Sequence, residues 1–507
     1  MTKIKNIKNI ILLNSFLALG LFTPSVFGDF PTEIAIEEKK TTEDAVEDNE
    51  EEDEEDKSLS RTSRCTARKG RELYKEYGTA MHSQRLQNEL SPAEWLTVLL
   101  FHRVRVPFTA EEHCNLNRFF TDCDTAIDPT WSEIQENLPA PASKKKDKSK
   151  NEQSKKKDVS CQLGDLPKSN LLIKGTTFAG FVAQEDHTNT FNAGLNPLFL
   201  WRYGDKFLFE MEMEIGLEDT SASFDIEYTD INYIVNDYLT ARGGKFLMPL
   251  GFWKEKMHPE WINKLPNPPL PYADEDASVI PPAELGADFR GAIPIGDFFG
   301  RLDVPMVLTY DAWVGNGPCE NDDGTIDLSG DNYTDNNNNK AFGGRFSFRP
   351  WPYREIGISG MKGQWNNNGH KKPVTSHRKL YYEAVVFELD CHFNDYCRFC
   401  GEYMWTRHDI VKSDTGPEIF SKVNVRSFWA QFSSTLNMLD TRYIKNLELV
   451  ARYGLINSAI KHDSKRQMSF GFNYYLTGKN IFKFSYDINQ GPANHGNAFN
   501  MQWAYGY

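Results

Sequence analysis

Beyond its first 28 residues the chain has no apolar run of about 18 residues, which excludes a bundle of membrane-spanning helices. Positive charge is also short: 57 Lys and Arg face 71 Asp and Glu, a net charge of −14. A phosphate backbone needs a basic face, so nucleic acid is not an expected partner. Neither H-E-x-x-H nor phosphate-loop spacing occurs. Gly357-Ile358-Ser359-Gly360-Met361 misses a nucleophile elbow at its last position and lies in a strand pattern. His370, His377 and His408 read as loop residues with no Ser or Asp partner at fixed spacing, so neither catalysis nor a cofactor is expected. Asp122, Asp124, Asp128 and Glu133 take calcium-loop positions, but Ile127 stands where glycine is required and Ala126 at a ligand position. A helix-capping turn is the better reading, and no metal is expected.

What is present divides the chain into segments. Lys3, Lys5 and Lys8 precede the apolar stretch Ile10 to Phe22, and Thr23-Pro24 ends it before Val26-Phe27-Gly28. Residues 1–28 therefore read as a secretory signal, too short for a stable span, and place the mature protein in an oxidising compartment. Between Glu33 and Asp56 stand 14 acids and two lysines, so residues 29–60 read as a disordered acidic tail, leaving the remainder nearly balanced in charge. Residues 61–140 turn helical: Leu73, Tyr77, Met81 and Leu90 recur at helical intervals, and Ser91-Pro92-Ala93-Glu94 is a capping box opening an apolar helix. Residues 141–168 form a solvated linker, with eight lysines between Lys144 and Lys157.

From residue 169 to 507 the pattern alternates with period two. In Phe207 to Leu217 one face carries Phe, Met, Ile and Leu while the other carries Glu210, Glu212 and Glu214. A soluble sandwich turns such an apolar face inward, whereas an outer-membrane barrel turns it toward lipid. Segment length and connections favour the barrel. About sixteen candidate strands are found, many with the ten or so residues a tilted strand needs to cross a bilayer, and bacterial barrels hold an even number. They start near Leu171, Asn196, Lys206, Ala222, Asp237, Glu284, Gly300, Lys340, Arg354, Arg378, Asp395, Asn424, Asn446, Arg466, Lys479 and Gly496. Tight turns such as Tyr203-Gly204-Asp205 alternate with long connections, as expected when only one edge crosses the membrane. The expected fold class is thus an all-β transmembrane antiparallel barrel behind a small α-helical periplasmic module. An aromatic final strand, Phe499 to Tyr507, agrees with that expectation.

The longest connection, Met248 to Ala283, follows the fifth strand and is the third external loop. Prolines including Pro249, Pro259, Pro266, Pro268, Pro269 and Pro271 stiffen it, and Trp253, Lys254, Lys256, His258, Glu260, Trp261 and Lys264 make its middle amphipathic. Such a loop can lie in a water-filled lumen as a constriction, or cover the mouth.

Leu239 to Phe252, with Thr240-Ala241-Arg242-Gly243-Gly244-Lys245 at its head, resembles the strand-then-loop signature of the phosphate-selective porin O and P family. Gly286-Ala287-Asp288-Phe289-Arg290-Gly291, Trp313-Val314-Gly315-Asn316-Gly317, Gly343-Gly344-Arg345, Glu355 to Gly360 and Phe472 to Leu476 are similar to that family in the same order. The resemblance spans about residues 171–507 and implies a sixteen-stranded, usually homotrimeric channel in outer-membrane lipid, passing small hydrophilic solutes or ions, with its third external loop folded inward. Phosphate selectivity is not carried over. The expected lumen wall mixes Arg301, Arg345, Arg349, Arg452 and Lys483 with Glu210, Glu212, Glu214, Asp303, Asp311, Glu383, Glu448 and Asp487. Arg242, Lys245 and Arg290 with the loop lysines are the candidates for a local cationic zone.

Of eight cysteines, Cys391 and Cys397 flank a turn and Cys114 and Cys123 lie close in sequence, so these are the expected disulfides. The alternative to a channel is a disulfide-crosslinked structural envelope protein or adhesin anchored by the barrel.

Overall fold

The computed structural model describes residues 66–81, 90–106, 108–121, 167–218, 221–273, 279–295, 306–329, 332–335, 337–351, 354–367, 379–394, 396–412, 419–439, 441, 443–459, 464–492 and 496–507. The expected signal, acidic tail and calcium-like turn fall outside them, as does nearly all of the lysine-rich linker.

Sixteen antiparallel strands close into a barrel. They are β1 (Ser169–Gln184), β2 (Thr190–Tyr203), β3 (Phe207–Glu218), β4 (Ser221–Ile234), β5 (Thr240–Leu247) and β6 (Ala283–Pro294). Next come β7 (Val307–Gly315), β8 (Ala341–Trp351), β9 (Arg354–Gln364), β10 (Tyr381–Asn394) and β11 (Cys397–Lys412). The circuit ends with β12 (Ile419–Thr435), β13 (Leu447–Ser458), β14 (Lys465–Thr477), β15 (Asn480–Gln490) and β16 (Ala498–Gly506). Each strand pairs with its sequence neighbours, and β16 pairs with β1 from Ala498↔Gln184 to Gly506↔Thr176. No edge is left open, as a spanning sheet requires where water cannot satisfy its backbone.

The two faces invert the usual order. Leu171, Phe224 and Phe342 on the outside are each 62% exposed, and Phe207, Ile231, Phe289, Phe470 and Trp503 join them. Glu210, Asn232, Asp288, Arg345, Ser469 and Lys483 face inward and are almost wholly buried. A soluble fold that exposed so continuous an apolar surface would aggregate; hydrocarbon is the medium that suits it. Among the described residues no helix is long and apolar enough to cross a membrane, so the spanning elements are the strands.

The connections sort less cleanly than the sequence suggests. On the edge that carries loops 248–282 and 316–340, β3 and β4 are joined by residues 219–220 alone. His408, expected in a loop, lies well inside β11, which runs on to Lys412 before β12 begins at Ile419.

Among the described residues three helices precede the barrel: α1 (Ala67–Met81), α2 (Pro92–Arg105) and α3 (Ala110–Thr121). Ser91 caps α2 reciprocally with Glu94, and Thr109 does the same for α3 with Glu112. Trp95 stacks on Phe120 at 3.9 Å with Tyr74 edge-on to it, forming the bundle's own aromatic core. Gly70 lets α1 approach α3, since a Cβ there would sit 1.9 Å from the Asn115 carbonyl oxygen.

Candidate functional site

The bundle does not hang free of the barrel. Leu100 and Val104 of α2 pack on Leu172, Leu200, Leu208 and Ile234, inward residues at the short-turn end of β1–β4. Burying each such side chain contributes about 1.5–3 kcal/mol. Around this contact, Arg105 reaches Glu210 at 3.0 Å, Glu112 reaches Arg349 at 3.0 Å, and Arg290 donates to the Val104 carbonyl at 2.8 Å. The bundle thus occupies the mouth rimmed by the short turns.

From the other end comes loop 248–282, closed at its base by the Met248 N–H bonding to Pro282 O at 3.0 Å. Gly251 turns it inward at φ 76°; a Cβ there would lie 2.4 Å from the Glu402 carboxylate. That carboxylate, buried on β11, accepts from the backbone of Phe252 and Trp253, from Tyr272 Oη at 2.6 Å and from Trp429 Nε1 at 2.8 Å. It holds the short helix α4 (Trp253–Met257) against the wall.

Every constriction residue expected from the sequence meets an inward wall residue or another part of the loop. Trp253 stacks on Tyr272 at 4.7 Å. Lys254 pairs with Glu227 at 2.5 Å, Lys256 with Glu355 at 2.8 Å, His258 with Glu212 at 3.4 Å and Lys264 with Glu448 at 3.1 Å. Glu260 accepts from Thr176 at 2.6 Å and from Asn196 at 3.2 Å, while Trp261 covers Gly506. These partners run from β1 round to β16, so the loop crosses the barrel interior instead of covering its rim.

The expected wall residues are distributed unevenly. Glu210, Glu212, Asp311, Arg345, Arg349, Glu448, Arg452, Lys483 and Asp487 are buried on the inward face, and Glu214 is half-buried there. Arg301 and Asp303 lie outside the described residues. Glu383 corrects the sequence reading. On β10 it is Tyr382, Ala384, Val386 and Glu388 that point inward, so Glu383 faces out and binds Lys362 at 2.8 Å and Arg407.

No free cationic zone forms from Arg242 and Arg290. Glu255 of the loop sits between them, 3.2 Å from Arg242 and 2.8 Å from Arg290, and Asp288 bridges the same pair. Arg290 also pairs with Asp311. Burial pushes the Glu255 carboxyl up, but the guanidinium groups of Arg290, Arg242, Arg345 and Arg105 outweigh it and hold its pKa at about 2. Lys245 donates to Ile226 O and Tyr333 Oη.

Sequence alternation had promised a polar interior throughout, and one sector is not. Phe246, Leu250, Phe252 and Trp253 pack with Trp313, Trp365, Tyr382, Met404 and Trp429 into an apolar cluster between the loop and β7–β12. On the opposite side the described residues enclose further cavities, two of them adjoining each other. One, of about 160 Å³, lies between the loop and β2–β4 and is lined by Glu212, Glu214, Glu227, Lys254, His258 and Glu260 among others. The second, about 150 Å³, adjoins it at Glu212 and His258 and reaches the bundle at Trp95, Leu99 and Phe101.

Cysteine pairing also departs from expectation. Cys391 and Cys397 are free thiols: an irregularity at His392/Asn394 sets Cys391 opposite Phe399 and Cys397 opposite Asn394. Cys114 is disulfide-bonded to a partner outside the described residues, where Cys123 also lies. Among the described residues no cluster has the makings of a metal site.

No family model and no curated protein matches the chain. Solved structures do. OmpF of Salmonella typhi in complex with daunomycin is similar at 11% identity and a TM-score of 0.45, covering 67% of this chain and 98% of that one. The outer membrane channel DcaP of Acinetobacter baumannii is similar at 9% identity and a TM-score of 0.43, over 67% and 97%. An anion-selective porin from Comamonas acidovorans is similar at 11% identity and a TM-score of 0.41, over 67% and 100%.

Proposed function

We propose that the chain is an outer-membrane porin, a passive channel for small hydrophilic solutes or ions, narrowed by loop 248–282 and attended at its periplasmic mouth by the α1–α3 bundle. The observation that carries this reading is the inversion of the wall around an inward loop: apolar side chains face out, charged ones face in, and polar cavities persist beside the loop. Trimeric assembly, with the short turns periplasmic, belongs to the same proposal. Purified protein in planar bilayers is the direct test. Stepwise currents are expected, and their absence both with the bundle seated and with it displaced would remove the channel reading.

A second reading makes the barrel an anchor for a crosslinked envelope protein. The apolar cluster inside the lumen and the disulfide at Cys114 favour it. Non-reducing gels of isolated envelopes separate the two: large cystine-linked species without pore activity would support the anchor.

A further inference from the structure

We infer that the chamber between the bundle, loop 248–282 and β1–β4 binds a small neutral aromatic molecule, one ring in size. Its volume is about 150 Å³ and most of its wall is apolar. Three parts of the chain build that wall: Val98 and Phe101 of α2, Trp261 and Ile262 of the loop, and Leu198 and Tyr228 of the barrel. Val98, Phe101, Leu198 and Ile262 keep part of their surface uncovered, whereas the dry cluster at β7–β12 closes completely over Trp365 and Trp429. A void lined by apolar atoms forfeits their dispersion contacts and offers water few hydrogen-bond partners, so an apolar guest fills it favourably. An apolar cavity of roughly 150 Å³ accommodates a benzene ring. The rings of Phe101, Tyr228 and Trp261 favour an aromatic guest through offset or edge-to-face contact.

The charged groups at the border already have partners, and this sets the guest as neutral. Arg105 pairs with Glu210 at 3.0 Å and lies over the Phe101 and Tyr228 rings at 4.8 and 4.4 Å. Lys256 pairs with Glu355 at 2.8 Å, His258 meets Glu212 at 3.4 Å, and Glu255 is held by Arg242 and Arg290. Lys174 acts on the Glu94 carboxylate, and His102 packs edge-on against Phe101. A charged guest would lose its hydration here and gain no counter-charge that is not already engaged. The route in runs from the adjoining polar cavity, since Glu212 and His258 line both spaces. A ring seated in the chamber touches α2, the loop and the wall together, so its binding favours the docked bundle.

The test is fluorine NMR of para-fluorophenol, uncharged at neutral pH, titrated with the full chain in detergent. Its anionic counterpart of similar size is para-fluorobenzoate. One saturable site for the phenol is expected, with the benzoate weaker by about tenfold or more. Leu198→Trp on the barrel wall and Val98→Trp on the bundle each place an indole in the chamber. Either should abolish the saturable binding and leave only uptake by the micelle, and one decides if the other fails to fold. The phenol should also slow proteolysis of the bundle in the unaltered chain but not in these variants. No saturable binding, or undiminished binding by the folded variants, overturns the site; benzoate binding as tight as the phenol overturns the neutral class. None of these readouts uses a current, so the assignment fails or stands separately from the channel reading.

Discussion

Where β7–β12 line the barrel, Trp313, Tyr382, Met404 and Trp429 press against Phe252 and Trp253 with Glu402 as the polar anchor. Where β2–β4 line it, Glu212, Glu214 and Glu227 face Lys254 and His258 across a cavity. The same loop serves both sectors, apolar on one flank and charged on the other. The difference teaches that an inward loop needs a dry footing to keep a fixed path, and that only the opposite flank is available to water. Under the proposed channel reading, loop rigidity and solute passage fall to different walls of one cylinder.

That division can be broken experimentally. The largest effect is expected from displacing the bundle. Leu100→Asp together with Val104→Asp puts two carboxylates against Leu172, Leu200, Leu208 and Ile234, and should turn rare or brief openings into long-lived ones. Bilayer recordings with unchanged open times would show that the bundle does not control access. In that background, deleting Trp253 to Lys264 should raise single-channel conductance several-fold; an unchanged value would place the loop off the path. On the dry side, Trp429→Ala removes a wholly buried indole and a donor to Glu402, and should cost about 3–5 kcal/mol. Glu214→Gln, on the wet side, keeps the side chain's volume at a half-buried position and should cost about 1 kcal/mol. Urea unfolding of the barrel in detergent, followed by tryptophan fluorescence, measures both, and equal losses would erase the distinction between sectors.

The smallest effect separates bundle from loop by pH. Burial, aided by the Arg103 charge, lowers the part-buried His113 imidazole on α3 from 6.5 to about 3. The unfolded bundle binds that proton first, so bundle stability falls as pH drops from 6.5 toward 3. Glu255 has the opposite chemistry with a lowered value of about 2, so its contribution is complete above its ordinary 4.5 and disappears only as pH falls through about 2. Limited proteolysis at about pH 4 should therefore cut the bundle before the loop. Simultaneous cleavage would contradict that order.

Much of this architecture is legible in the sequence, because period-two alternation reports which residues share a face. The sixteen-strand closed sheet and most strand starts follow from it, although β2 begins at Thr190, β7 at Val307 and β12 at Ile419, away from the expected Asn196, Gly300 and Asn424. What presses on a face is a different matter. Leu208 sits in register with Glu210 and Glu212, yet it meets α2 instead of water, and nothing in the pattern of β3 distinguishes them. A signal was available in the apolar runs Leu171-Leu172-Ile173 and Leu198-Phe199-Leu200-Trp201, where both faces of a strand are greasy near one end. The dry sector escaped for a related reason. Tyr382, Ala384 and Val386 continue an apolar stretch on both faces of β10, which also hid the phase that turns Glu383 outward. Register irregularities such as the one at His392/Asn394 are set by turn geometry, so the thiol spacing alone misled.

The seam between β1 and β16 governs how such an object can be made. Its hydrogen bonds join the two extremes of the strand sequence, so the wall stays an unrolled sheet until every hairpin between them exists. The three helices lie upstream of β1 and hold their own aromatic core. A curling sheet can therefore wrap around a finished bundle, and nothing has to be threaded through a completed ring. Assembly then resembles rolling paper about a dowel, with the zipper fastened last.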